Sequence, residues 1–175
     1  MFKRAFTFRL IASIFLIFIS LFLADFIYNH FVFSLGRSTP YHLFWKKQND
    51  AEPKLGDYVV IKTPENDQIA KGRMITKKIS CIEGMWLKIS GLDYYCCSDK
   101  EGTWEKCVYL GRAKLFSKKG ERVFPFNPCG NKQLCIVPVP KGEYFLVNNH
   151  PDSYDSRYLG FIKKEVILFV VSPIW

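Results

Sequence analysis

The chain is 175 residues long, enough for one domain with its own core and a small insertion, but not for two full domains. It carries 25 lysines and arginines against 16 aspartates and glutamates, a formal net charge of +9, which favours an anionic partner such as nucleic acid or a membrane surface. The basic residues are scattered, as in Lys46 with Lys47, Lys77 with Lys78 and Lys118 with Lys119, and form neither a block nor a nucleic-acid module, so basic faces beside a membrane account for the charge and no nucleic-acid partner is expected.

At the N-terminus Lys3, Arg4 and Arg9 precede Leu10 to Ala24, fifteen residues without a charge. A span needs about 20 residues; Arg9 can snorkel and the "FIY" that follows Asp25 can lengthen the apolar core. The competing reading is a cleavable signal peptide, which has the same basic start and short apolar core. Its cleavage site would be poor, with Phe22 two positions before Ala24 and Ser34-Leu35-Gly36 lying well past the apolar core. The expectation is therefore an uncleaved anchor over residues 1–28. Basic residues on its N-terminal side place residues 29–175 outside the cytoplasm.

Beyond the anchor the sequence reads as strands: 58–62 (YVVIK), 74–82 (MITKKISCI), 85–89 (MWLKI), 135–139 (CIVPV), 144–148 (YFLVN) and 165–174 (EVILFVVSPI). Each is rich in β-branched or aromatic residues and bounded by turn formers, and no long segment outside the anchor has a helical period. Six cysteines, Cys81, Cys96, Cys97, Cys107, Cys129 and Cys135, suit a compartment that permits disulfides. None forms a C-x-x-C pair, which argues against structural zinc. Five of them lie between 96 and 135, which suggests a disulfide-stapled insertion over about 90–135, with Cys129 and Cys135 the first pair expected.

His30, His42 and His150 match no metal-binding spacing, and each reads as an interfacial or loop residue. A lysine is the better candidate base, and the same strand pattern equally describes a structural cation that snorkels from a barrel rim. Neighbours on a strand point to opposite faces, so Lys77 shares its face with Ile75, Ile79 and Cys81, whereas Lys78 shares its face with Met74, Thr76, Ser80 and Ile82. Lys77 is thus the more desolvated, and burial lowers a lysine pKa toward the range of a general base. Ser34, Ser38 and Thr39 in "SLGRSTPYHLFW" offer hydroxyl nucleophiles close to the anchor, with Pro40 forcing Thr39 toward an extended conformation.

Taken in order, the apolar anchor, "STPYHLFW", "GDYVVIK", "KKISCIEG", "GEYFLVNNHPDSYDSRYLGFI" and the terminal "SPIW" resemble the boxes of signal peptidase I. The chain is more similar to the conjugative-transfer branch of that family, the TraF-type peptidases that mature pilin subunits, in its "HPDSYDSRYLG" and "LGRAKLFSKKGERV" stretches. The resemblance implies a mostly β, signal-peptidase-like barrel or coiled sheet with one N-terminal transmembrane helix and a small cysteine-rich insertion. It implies Ser38 as nucleophile, Lys77 as general base, Asp155 as the family's required aspartate and Ser153 as the hydroxyl that holds the lysine amine. Asp155 would act through Arg157 or Lys78. No cofactor or metal is expected.

The sequence departs from the family pattern at Cys81, Glu83 and Met85, at "NNH" beginning at Asn148, and at Gly36, where bacterial signal peptidases carry a serine that donates to the oxyanion. The Ser38 backbone N–H remains for that role. The expected partners are the lipid bilayer, a membrane-bound pilin or preprotein substrate and conjugative type IV secretion components. The expected location is the bacterial inner membrane, with the N-terminus cytoplasmic and the catalytic domain periplasmic. The alternatives are a general signal peptidase and a non-catalytic membrane-tethered β scaffold.

Overall fold

The computed structural model describes residues 2–36, 38–48, 51–67, 69–130 and 132–175, and side chains from residue 10 onward; the expected snorkelling of Arg9 lies outside the described side chains. Helix α1 (Phe2–His30) has no glycine or proline to interrupt it. Its stretch Leu10–His30 is long and apolar enough to cross a membrane, and none of its most apolar window is buried in protein. A helical stretch that is apolar all round and not buried in protein matches a lipid-facing span, and only the last turns meet the domain, where Phe26 and His30 lie against Trp45. The helix continues through Asp25, which accepts a hydrogen bond from Asn29 one turn on, so "FIY" does lengthen the apolar segment.

The strands that follow are β1 (Phe31–Phe33), β2 (Leu43–Lys46), β3 (Tyr58–Lys62), β4 (Met74–Ile82), β5 (Trp86–Ser90), β6 (Asp93–Cys97), β7 (Cys107–Arg112), β8 (Leu134–Pro138), β9 (Glu143–Leu146), β10 (Ile162–Lys163) and β11 (Ile167–Pro173). A single turn of helix, α2 (Ser156–Leu159), precedes β10. They build two antiparallel sheets, one of seven strands in the order β1-β2-β11-β3-β4-β9-β10 and one of four in the order β7-β6-β5-β8. The fold is mostly β, as expected, with the cysteine-rich stretch running through the smaller sheet.

Strand β4 carries the geometry that matters most. It pairs with β3 from Met74 to Lys78, including Val59 with Lys77, then with β9 from Ile79 to Ile82 across a bulge between Ile79 and Cys81. A bulge bends and twists a strand, and here it falls a few residues beyond Lys77.

The core lies in three clusters. Val59, Ile61, Ile79, Leu146 and Val170 pack one face of the large sheet, and Phe44, Val60 and Val171 pack the other. The third joins the sheets: Phe145 of β9 packs with Leu87, Ile89 and Tyr94 of the small sheet, and its ring lies nearly parallel to that of Tyr94, 5.8 Å away. All six cysteines are paired, Cys81 with Cys96, Cys97 with Cys107 and Cys129 with Cys135. The first ties β4 to β6 across the two sheets, the second staples β6 to β7, and the third closes the short loop before β8.

Candidate active site

Ser38 lies in the connection between β1 and β2. At the base of that connection the Ser34 N–H donates to His42 O, and Thr39, next to Ser38, is buried. Ser38 Oγ is 3.1 Å from Lys77 Nζ. The same ammonium or amine nitrogen is 2.9 Å from Ser153 Oγ. Residues 38, 77 and 153 thus meet at one nitrogen.

Lys77 is 3% exposed. Burial, opposed by the charge of Asp155 and assisted by that of Arg157, brings its pKa down to about 8. A buried lysine loses the hydration that stabilises its cation, and among the described residues no carboxylate forms an ion pair with Nζ to restore it. The neutral amine is therefore accessible near neutral pH. Lys78 is exposed on the other face of β4; only its backbone takes part, its N–H donating to Asn148 Oδ1. Of the two partners expected for Asp155, the carboxylate meets Arg157 and not Lys78.

Asp155 and Arg157 form a fully buried pair. Arg157 Nε and Nη2 each reach the carboxylate at 2.9 Å, and Asp155 caps α2 by accepting from the Arg157 N–H. The guanidinium also donates to backbone carbonyls, from Nη1 to that of Arg112 and from Nη2 to those of His150 and Ser153. Every polar atom of this charged pair is satisfied, which is the condition under which a buried ion pair is tolerated. The pair ties the segment that presents Ser153 to the end of β7. Gly111 makes this approach possible: it has φ +115°, and a Cβ there would stand 2.9 Å from Arg157 Nη1.

Asn148 is a residue whose role the sequence did not suggest. Its side chain accepts from Lys78 N–H and donates to Thr76 O, so it grips the backbone on both sides of Lys77, while its own N–H donates to Asp155 Oδ2. The only signal was an amide in place of the family's glycine at the head of "NNH". His150 stays in its loop, where Nδ1 accepts from Asp152 N–H. His42 and His30 contact backbone carbonyls at Ser34 and Phe26. Among the described residues no group of histidine, cysteine and carboxylate side chains has the arrangement of a metal site.

A serine oxygen, a desolvated amine and a second hydroxyl that orients the amine can together carry out acyl transfer without a metal. The sequence from residue 3 to residue 175 matches the family model described as signal peptidase, peptidase S26. Among solved structures the chain is similar to a signal peptidase I from Enterococcus faecalis V583, at 23% identity over 70% of this chain and 98% of that one, with a TM-score of 0.40. No curated protein matches the sequence. The family match spans nearly the whole chain, and the protein belongs to the signal peptidase family, peptidase S26, whose members are serine peptidases acting on membrane-bound preproteins.

Proposed function

We propose that the chain is a membrane-anchored endopeptidase with a Ser38-Lys77 dyad, that residues 1–28 are the cytoplasmic tip and anchor, and that residues 29–175 form the catalytic domain outside the cytoplasm. The observation that carries the reading is the position of the buried Lys77 Nζ between Ser38 Oγ and Ser153 Oγ, at 3.1 and 2.9 Å. Neutral Lys77 takes the Ser38 proton as Oγ attacks the scissile carbonyl. The oxyanion is stabilised by the Ser38 N–H. Lys77 then gives the proton to the leaving amine, and an acyl-enzyme ester remains. Water, or an amine of the substrate itself, resolves the ester and restores Ser38. Ser153 keeps the amine aimed throughout, while Asp155, Arg157 and Asn148 hold Ser153 and β4 in place.

The substrate class is a membrane-held precursor, and within it we favour a pilin subunit of a conjugative system. That preference rests on the "HPDSYDSRYLG" and "LGRAKLFSKKGERV" stretches. The three disulfides support an oxidising compartment such as the periplasm, and the basic residues before the span support a cytoplasmic N-terminus. Co-expression with pilin precursors and with secretory preproteins, followed by product mass, tests the reading. The expected result is a cut or cyclised pilin, the two differing by one water, with neither product formed by Ser38→Ala or Lys77→Ala. Processing by either variant overturns the dyad. Processing of secretory preproteins alone moves the assignment to a general signal peptidase.

A further inference from the structure

Beyond Arg112, which helps anchor Arg157, the stretch "LGRAKLFSKKGERV" has no part in the chemistry above, yet it has a defined fold. After β7 it forms a small hairpin in which Phe116 bridges to Arg122, Ser117 N–H donates to Glu121 O and Gly120 N–H to Ser117 O. Gly120, at φ +79°, makes the turn, and the tip presents Lys118 and Lys119. This hairpin is one wall of a cleft of about 380 Å³. The turn before β4, with Lys71 and Arg73, is a second wall. The third is the segment 152–158, which brings Ser153 to the cleft and lines it with Tyr154 and Tyr158, whose rings stack 5.2 Å apart.

The charge in this cleft is unbalanced. Five cations, Lys71, Arg73, Lys114, Lys118 and Lys119, face two carboxylates, Asp152 and Glu121. Asp152 is already held by two of them, Lys114 and Lys118, which keep its carboxyl down at about 2. The side chains of Lys71, Arg73 and Lys119 have no ion-pair partner among the described residues. Three cations without ion-pair partners among the described residues, around a concavity with an aromatic wall, suit a carboxylate on a short aliphatic stem, since the charge is met by ammonium and guanidinium groups and the stem by the apolar parts of the tyrosine rings.

The position decides what carries that carboxylate. Ser153 is shared between the cleft and the lysine: its Oγ is 2.9 Å from Lys77 Nζ, which is 3.1 Å from Ser38 Oγ. An extended peptide advances about 3.3 Å per residue, so a chain whose scissile carbonyl rests at Ser38 passes the cleft within about four residues. A lipid headgroup has no such tie to Ser38. We propose that this cleft is a specificity subsite that takes an aspartate or glutamate side chain of the precursor, within about four residues of the scissile bond. The proposal rests on Ser38 being the nucleophile.

The test uses the full chain in detergent and matched sets of short precursor peptides in which one position at a time, on either side of the scissile bond, is Glu or Gln. The wild type is expected to process the Glu peptide about three- to tenfold faster, in kcat/KM, at one or two positions, the scale of one or two partly exposed ion pairs. Lys118→Glu/Lys119→Glu should remove or reverse that ratio, and Lys118→Arg/Lys119→Arg should keep it. Equal processing of Glu and Gln peptides at every position overturns the subsite, as does a ratio unchanged in the charge-reversed variant. If charge reversal instead alters binding to vesicles containing anionic lipid and leaves the peptide ratio intact, the cleft is a headgroup site and the proposal is wrong. Peptide binding to Ser38→Ala separates the two readings: a Glu preference in binding, with no cleavage of any peptide by the wild type, keeps the subsite and removes the dyad.

Discussion

Replacing Lys77 by methionine should abolish processing and, at neutral pH, make the protein more stable. The buried lysine has a pKa near 8 in the folded chain against 10.5 for an ordinary lysine, a difference worth roughly 3 kcal/mol at 1.36 kcal/mol per unit. Below pH 8 the folded state must carry a desolvated ammonium, so this cost is fully present. Between pH 8 and 10.5 the unfolded chain holds the proton that the folded chain has lost, so wild-type stability rises with pH and the cost shrinks. Methionine preserves the aliphatic packing and removes the charge, but Ser153 Oγ, which is buried, loses its contact with the amine, at about 1 kcal/mol. The expected gain is about 2 kcal/mol at pH 7, falling to about zero near pH 9.5. Denaturant unfolding of full-length wild type and Lys77→Met in detergent, followed by tryptophan fluorescence at both pH values, measures it. A variant less stable than wild type by the same amount at both pH values would show that the Lys77 cation is not desolvated and that Lys77 is no base near neutral pH.

The same shift sets the rate profile: kcat/KM on a precursor should rise about tenfold per pH unit below pH 8 and level off above it, and a flat profile from about pH 6 to pH 8 contradicts a lysine base. Gly36→Ser should raise kcat. A Cβ at position 36 would stand 3.8 Å from Ser38 Oγ with no nearer obstacle, and one added oxyanion donor is worth up to about a hundredfold; an unchanged or lower rate would mean that the hydroxyl does not reach the developing charge. Gly111→Ala should lower both Tm and activity, because its Cβ would press on the Arg157 guanidinium at 2.9 Å from a backbone at φ +115°, at roughly 2 kcal/mol; a variant with wild-type Tm would show that Arg157 can move freely.

The strands with a clear apolar pattern were legible. "YVVIK" and "MITKKISCI" correspond residue for residue to β3 and β4, since β-branched residues there meet a partner on each side. What escaped the reading had a local reason. "FVF" follows the anchor directly and resembles its continuation, and "LFWK" overlaps the serine-containing box and has only four residues, yet they pair as β1 and β2. "DYYCC" and "CVYLGR" carry cysteines, a glycine and charges in place of an alternating pattern, and they become strands through the pairing of Cys97 opposite Cys107 and the staple between them. The four-residue α2 is shorter than any helical period can reveal.

The burial of Lys77 rather than its neighbour was also legible, because alternation puts Lys77 with Ile75, Ile79 and Cys81, the more apolar of the two faces. The meeting of Lys77 with Ser38, 39 residues earlier, and with Ser153, 76 residues later, was not. No spacing rule predicts a contact across that distance, and only the resemblance brought the three residues together. The grip of Asn148 on the backbone around Lys77 and the approach of Arg157 to Gly111 are tertiary facts with no periodic trace in the chain.

The buried Asp155–Arg157 pair invites the idea that it tunes the lysine electrically, but its two charges act on Lys77 in opposite senses: Asp155 raises the pKa, Arg157 lowers it, and burial is the larger cause. A dipole held at fixed orientation beside the amine has far less leverage than either charge alone. The pair's contribution is therefore mechanical. Arg157 gathers carbonyls from Arg112, His150 and Ser153 around one rigid guanidinium, and the Tyr94 hydroxyl donates to the carbonyls of Phe126 and Arg157. With the Cys81–Cys96 disulfide only four residues along β4 from Lys77, these bonds make the small sheet a brace for the loop that carries Ser153. A cysteine-rich excursion far from Ser38 in sequence thus bears directly on whether the Lys77 amine points at the Ser38 hydroxyl. An apolar replacement of similar volume could fill the Asp155 and Arg157 sites at no loss of stability, but it could not hold three backbone carbonyls from two parts of the chain at once, and this explains why so costly a pair of charges is buried there.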